Sequence, residues 1–305
     1  MNTFPLRSAL FILGFATILS PAHAGIESLI VPYTATEDVV YGQKEGMGLT
    51  MDVLEPEQGR KGIGIVLISS GSWRSSKSNV AEEVAEFRQD HWAMGLLSNG
   101  YTAFVVRHGS GPRFHVPEMV EDVRRAVRFI RLHAADYKID PDHLGITSGS
   151  SGGHLALMVG MTGDDGTADS KDPVERVSSR TQAIVSWFPP TDMVNYGIAD
   201  GYTFVQKLQP QRFTDMFGTI TDLPTQLREV SPLYFTTPDD PPLLLLHGDA
   251  DKTVPLQQSE ILKAKYEETG LKVKLIVQPG GVHSGWEGLE KNYVDVADWF
   301  DTYLK

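Results

Sequence analysis

Continuous apolar runs alternate along this chain with segments whose apolar residues recur every three to four positions. "GIGIVLIS" (62–69) and "TAFVVR" (102–107) are short and rich in β-branched residues, which predicts strands buried on both faces. Pro117 then opens "PEMVEDVRRAVRFIRLHAADY". Met119, Val120, Val123, Val127, Ile130 and Leu132 fall near helical spacing. Glu118, Glu121 and Asp122 come first and Arg124, Arg125, Arg128 and Arg131 later, an order that suits the helix dipole. "HLGIT" (143–147) predicts a strand, and "GGHLALMVG" starts a helix. "TQAIVSWF" (181–188), "LLLLHG" (243–248) and "LKVKLIVQ" (271–278) predict further strands, with helices in "LQQSEILKAKYEET" and "YVDVADWFDTYL". The alternation predicts an α/β fold, a mostly parallel twisted sheet with helices on both faces. Ligands bind such sheets beyond the carboxyl ends of the strands, so chemistry is sought in the loops that follow them.

Two stretches break the rhythm. From about 195 to 241 the chain mixes Tyr202, Phe204, Phe213, Met216, Phe217, Tyr234 and Phe235 with several Pro and Gly residues. It is too long for a simple connection and reads as a cap or side insertion. The other stretch is the start, "MNTFPLRSALFILGFATILSPAHA": Arg7, an apolar run from Ala9 to Leu19, and Ala22-His23-Ala24 as a cleavage site. It reads as a signal peptide over 1–24, too short for a membrane span, leaving one domain over 25–305 and a secreted or periplasmic location. The chain has no cysteine, so export would not bring disulfides. A net charge of −12 argues against nucleic acid as a partner, since phosphate binding needs clustered Lys and Arg.

Three strand ends carry candidate chemistry. "GITSGSSGGHLAL" (145–157) contains Ser148, Ser150 and Ser151 among glycines at a strand-to-helix turn. "HGDADKTVP" (247–255) offers Asp249 and Asp251, and "GGVHSGW" (280–286) offers His283. Serine, acid and histidine in that chain order is the α/β-hydrolase order, with the serine on a strained nucleophile elbow. The literal G-x-S-x-G pattern, Gly149-Ser151-Gly153, centres on Ser151, whereas crowding at the elbow favours Ser150 followed by Gly152-Gly153.

On these residues the chain resembles the α/β-hydrolase esterases of the hormone-sensitive-lipase and acetyl-xylan/feruloyl-esterase-like kind, which carry G-x-S-A-G-G-[HN]-L. "SGSSGGHLAL" matches from Gly149 to Leu155 with one Ala-to-Ser change, and Ser148 stands where the family has glycine. The resemblance implies an α/β-hydrolase fold and makes Ser150 the nucleophile, with the Ser151 N–H an oxyanion donor. The family form H-G-x-x-D-x-x-V-P assigns Asp251 as the acid; Asp249 then fixes its loop through backbone N–H groups. His283 is the implied general base, and His108, His154 and His247 are packing or supporting residues. The family's H-G-G-G-[FW] becomes "SSGSW" (69–73), which maps the second oxyanion donors to Gly71 and Ser72. "GLTMDVLEP" (48–56) resembles the family's opening strand.

The expected activity is an exported serine carboxylesterase acting on short-acyl or aromatic-acyl esters, a small molecule or plant polysaccharide, without cofactor or metal. Trp73, beside the oxyanion donors, either narrows the acyl side or packs in the core. Two alternatives stand. A prolyl-oligopeptidase-type peptidase usually has tyrosine where this chain has Ser151, and an N-terminal propeller for which 25–47 leaves no room. A non-catalytic hydrolase-like binding protein is the other. "DDGTADSKD" (164–172) fits no EF-hand loop and reads as a solvated acidic loop.

Overall fold

The computed structural model describes residues 31–75, 89–197, 210–219, 221–284 and 286–305. The expected signal peptide and residues 198–209 of the expected insertion lie outside them. Among the described residues eight strands form one sheet, in the order β1-β2-β4-β3-β5-β6-β7-β8. β1 (Tyr33–Lys44) and β2 (Met47–Pro56) form an antiparallel ribbon, and β2 pairs antiparallel with β4 (Thr102–Val106). From β4 onward the sheet is parallel: β3 (Gly64–Ile68), β5 (Leu144–Gly149), β6 (Ala183–Trp187), β7 (Leu243–Gly248) and β8 (Val273–Gln278).

The buried strands owe their continuous hydrophobicity to having two covered faces. Val66, Phe104, Ile146, Ile184, Leu243 and Leu245 face a core shared with α2 (Val116–Leu132), α3 (Ser150–Met161) and α6 (Gln257–Glu268). Their neighbours Ile65, Ala103, Val185, Leu244 and Leu246 face the opposite core, built on Leu96 of α1 (Gln89–Ser98) and on Tyr293, Val296 and Phe300 of α7 (Leu289–Tyr303). Successive residues of a strand point to opposite faces, so an unbroken run such as Leu243–Leu246 feeds both layers. All four leucines are fully buried, each worth about 1.5–3 kcal/mol relative to exposure.

Within the expected insertion, α4 (Pro210–Phe217) and α5 (Leu223–Glu229) are followed by a single 3-10 turn, Pro232–Phe235. Phe213, Met216 and Phe217 of α4 anchor it in the α2–α3 core. The acidic loop lies against α2: Asp164 pairs with Arg128 and Asp172 with Arg125. Among the described residues no helix is long and apolar enough to cross a membrane.

Candidate active site

The elbow begins where β5 ends. Gly149 is extended and Ser150, with φ +52°, is the first residue of α3, so the helix starts two residues earlier than its glycines indicate. A left-handed backbone is unfavourable for a residue bearing Cβ and persists only where the surroundings enforce it. Close packing enforces it here. A Cβ on Gly152 would lie 2.1 Å from Ser148 Oγ, and one on Gly153 would lie 2.7 Å from Ser186 Oγ. Only glycine lets the helix turn back so tightly over the strand. Ser148 itself, where relatives have glycine, turns its hydroxyl to the Ile68 carbonyl at 2.7 Å and so ties β5 to β3.

The three serines have different environments. Ser150 lines a pocket of about 190 Å³ together with Trp73, Tyr196, Arg212, Met216 and Val254. Ser151 is 1% exposed, and its hydroxyl lies 3.3 Å from Ser70 Oγ. Ser150 Oγ lies 2.9 Å from His283 Nε2, and His283 Nδ1 lies 2.7 Å from Asp251 Oδ2. The structure thus brings Ser150, His283 and Asp251 together in one hydrogen-bonded row. With Nδ1–H donated to the carboxylate, Nε2 is left to accept from the serine.

Backbone contact between two loops sets this meeting. Ala250 N–H donates to Gly281 O at 2.9 Å, and Gly248 and Gly281 approach so closely that a Cβ on Gly248 would lie 2.2 Å from Gly281 O. The loops after β7 and β8 are therefore pressed together, with Asp251 on one and His283 on the other. Asp249 points elsewhere, accepting from Gly280 N–H at 2.6 Å, which ties the loops without touching His283.

The side chain of Asp251 is fully buried. Burial alone would raise its pKa, but donation from His247 and His283 and from the Val254 N–H outweighs it and holds the carboxyl well below the usual carboxylate range. Oδ1 accepts from the N–H groups of Thr253 (2.7 Å) and Val254 (2.9 Å). His247 Nε2 lies 2.9 Å from Val254 O and 3.4 Å from Asp251 Oδ2, while its Nδ1 accepts from the Ser259 hydroxyl at 2.7 Å. His247, expected as a packing or supporting residue, thus braces Asp251; the sequence left the partner unnamed, and the signal was a polar residue at the end of an all-leucine strand.

The loop after β3 faces the elbow. Gly71, Ser72 and Trp73 have φ of +110°, +57° and +58°, and Arg74 N–H closes the turn on Gly71 O at 3.2 Å. Ser72 and Ser151 line the same pocket as Ser150; Gly71 sits one residue before Ser72 in this turn. Ser70 Oγ donates to Gly149 O at 2.8 Å and accepts from Gly152 N–H at 3.4 Å, pinning the loop to the elbow. His108 Nε2 lies 3.3 Å from Ser69 O. Trp73 does both things expected of it: it is 5% exposed in the core and also lines the pocket. Its Nε1–H donates to His154 Nδ1 at 3.1 Å, and His154 Nε2–H donates to Val230 O at 2.7 Å.

Several known proteins are similar to this chain. The chain is 26% identical over 255 residues to the probable carboxylic ester hydrolase LipM of Mycobacterium tuberculosis, covering 81% of this chain and 55% of LipM. It thus spans about half the length of that curated relative. A truncated carbohydrate esterase from gut microbiota superposes with a TM-score of 0.70 at 27% identity, over 88% of this chain and 96% of that one. A butyrate-bound esterase, Est2 of Thermogutta terrifontis, does so with a TM-score of 0.66 at 25% identity, over 88% and 92%. The fold is that of the α/β-hydrolase esterases, and, with residues 51–266 matching the BD-FAE model, the chain belongs to the BD-FAE family.

Proposed function

We propose that this protein is an exported serine carboxylesterase that hydrolyses short-acyl or aromatic-acyl esters, on small molecules or on plant polysaccharide. The observation that carries the reading is the row Ser150 Oγ–His283 Nε2, His283 Nδ1–Asp251 Oδ2, at 2.9 and 2.7 Å. As Ser150 Oγ attacks the ester carbonyl, His283 Nε2 takes its proton, and Asp251 stabilises the imidazolium without accepting the proton. N–H groups of Gly71, Ser72 and Ser151 stabilise the oxyanion, Ser151 with the help of the α3 dipole. His283 then protonates the departing alcohol, and the C–O bond to it breaks. Water, deprotonated by His283, attacks the acyl-enzyme, and collapse releases the acid and returns the proton to Ser150.

A pocket of about 190 Å³ with Trp73 as a wall suits an acyl group of a few carbons. The likeness to a carbohydrate esterase supports a sugar on the alcohol side. Export rests on the Met1–Ala24 sequence.

The purified protein should turn over p-nitrophenyl acetate, lose that activity to a fluorophosphonate and carry the label on Ser150. Across p-nitrophenyl esters, kcat/KM should peak at four carbons or fewer. A label on Ser151 overturns the register, and a maximum at eight carbons or more overturns the short-acyl assignment. Acetylated xylan, feruloylated oligosaccharide and aminoacyl amides, compared by kcat/KM, separate a polysaccharide esterase from a peptidase.

A further inference from the structure

Arg212 is the charged residue among those lining the pocket at Ser150. It sits in α4, which is held by buried Phe213, Met216 and Phe217, while Arg212 itself is exposed. The nearest acidic residue on the helix, Asp215, is engaged by Gln211 Nε2 at 2.8 Å. Among the described residues no carboxylate pairs with Arg212. The arginines of α2 are different: Arg124 pairs with Glu121, Arg125 with Asp172 and Glu175, and Arg128 with Asp164.

An unpaired guanidinium beside a reacting ester is a recognition group. Its planar fork matches a carboxylate with two parallel hydrogen bonds, a geometry a lysine cannot supply. The surroundings sharpen the point. The chain carries a net charge of −12, and Asp251 lies ionised behind His283, so an anion entering this pocket meets unfavourable potential unless a local cation offsets it.

We propose that Arg212 selects esters whose non-reacting part carries a carboxylate. This rests on the carboxylesterase assignment and names its substrate class. The carboxylate has two chemical sources: a dicarboxylic acyl group esterified through one end, or an acidic sugar bearing the acyl group on a hydroxyl.

The test compares matched pairs on the intact protein. p-Nitrophenyl hemisuccinate against p-nitrophenyl butyrate places the charge on a four-carbon acyl chain. Acetylated glucuronic acid against acetylated glucose places it on the alcohol. The wild-type kcat/KM ratio, anionic over neutral, should favour the anion in one pair by about tenfold, the lower end for a charge-assisted hydrogen bond at a partly exposed site. In R212Q that ratio should fall to about one, and in R212E below one. The pair that responds identifies the source. Circular dichroism of both variants should match wild type, since the position is exposed. Neutral preference in both pairs, or a ratio unmoved by R212Q, overturns the role of Arg212 while hydrolysis of neutral esters leaves the esterase assignment standing. No turnover of any neutral ester, with no fluorophosphonate adduct on Ser150, overturns both.

Discussion

Two histidines flank Ser150 within the same fold, and their surroundings differ in the way a scaffold role for one and the proposed general-base role for the other require. His154, one turn into α3, is completely buried, with Trp73 donating to one ring nitrogen and the Val230 carbonyl accepting from the other. Among the described residues no carboxylate is hydrogen-bonded to it, and burial pulls its pKa down to about 4 against a smaller upward pull from Val230. His283 keeps 18% of its side chain exposed, packs against Phe188 at 4.8 Å and has an ionised carboxylate on one nitrogen and a hydroxyl on the other. A scaffold histidine has to refuse protons. A general base has to gain and lose one in every cycle, which takes a counter-charge and access to the reactant.

The sharpest break of this contrast is at the serine. Ser150→Ala should lower kcat by about 10⁴-fold or more, while Ser151→Ala should retain most activity, because a backbone N–H survives the substitution. Equal losses would mean that the strained serine has no special place. Next comes the counter-charge. Asp251→Asn should leave the far-UV circular dichroism unchanged and depress kcat by about 10⁴-fold, as in the best-known triad. Asp249→Asn, which keeps an acceptor for Gly280 N–H but removes the charge that strengthens the bond, should act on Tm rather than on kcat. A reversal of the two would move the acid to Asp249.

A smaller effect is expected one bond further out. His247→Gln should reduce kcat by about 10- to 100-fold, the scale of one hydrogen bond to a charged group, and should shift the acidic limb of the kcat/KM profile. A fall in Tm alone, with the profile unmoved, would reduce His247 to packing. The smallest effect belongs to His154. Its ordinary pKa of 6.5 falls to about 4 in the folded protein, so between those values the unfolded chain binds the proton and the folded chain does not. Stability therefore declines as pH falls through that window. His154→Gln removes this contribution, so the Tm advantage of wild type over the variant should shrink from pH 6.5 to 4. A constant gap would show that His154 does not titrate on unfolding.

What could be read from the residues followed how they are packed. β3, β4, β6 and β7 are buried on both faces and announced themselves as apolar runs. β1 did not: it is an edge strand whose residues are mostly exposed, and nothing in "YTATEDVVYGQK" has to be apolar for it to pair with β2. α1, with Trp92 and Gly95 in "QDHWAMGLLS", lacks a clean helical stripe and was also missed. The α2 helix stops at Leu132, five residues before Tyr137, because residues 133–138 turn through successive short-range bonds toward β5. At the site, Ser150, Asp251 and His283 were legible because each sits just past a strand in a fixed order. The contacts of Ser70 were not, since they depend on how loops distant in sequence fold against one another, and the partner of His247 was not, because it depends on how the loop after β7 turns back on the strand end. The pairing of the 164–172 carboxylates with α2 arginines was hidden for the same reason.

Trp73 ties pocket size to transition-state chemistry. Its ring is a wall of the pocket at Ser150, while its backbone is the last of three consecutive left-handed residues in the loop that faces the elbow. Trimming the ring to admit longer acyl chains would also remove the bond to His154 that holds this turn in register. A wider pocket on that side therefore comes with a looser turn at the proposed oxyanion donors, and gains in substrate scope would be offset by losses in turnover. Met216, which lines the same pocket, takes no part in the Trp73–His154 bond. It reaches the pocket from a helix that Phe213 and Phe217 also anchor. Divergence in acyl preference has its open path through α4, and the loop at Trp73 is where selection for a new substrate would stall.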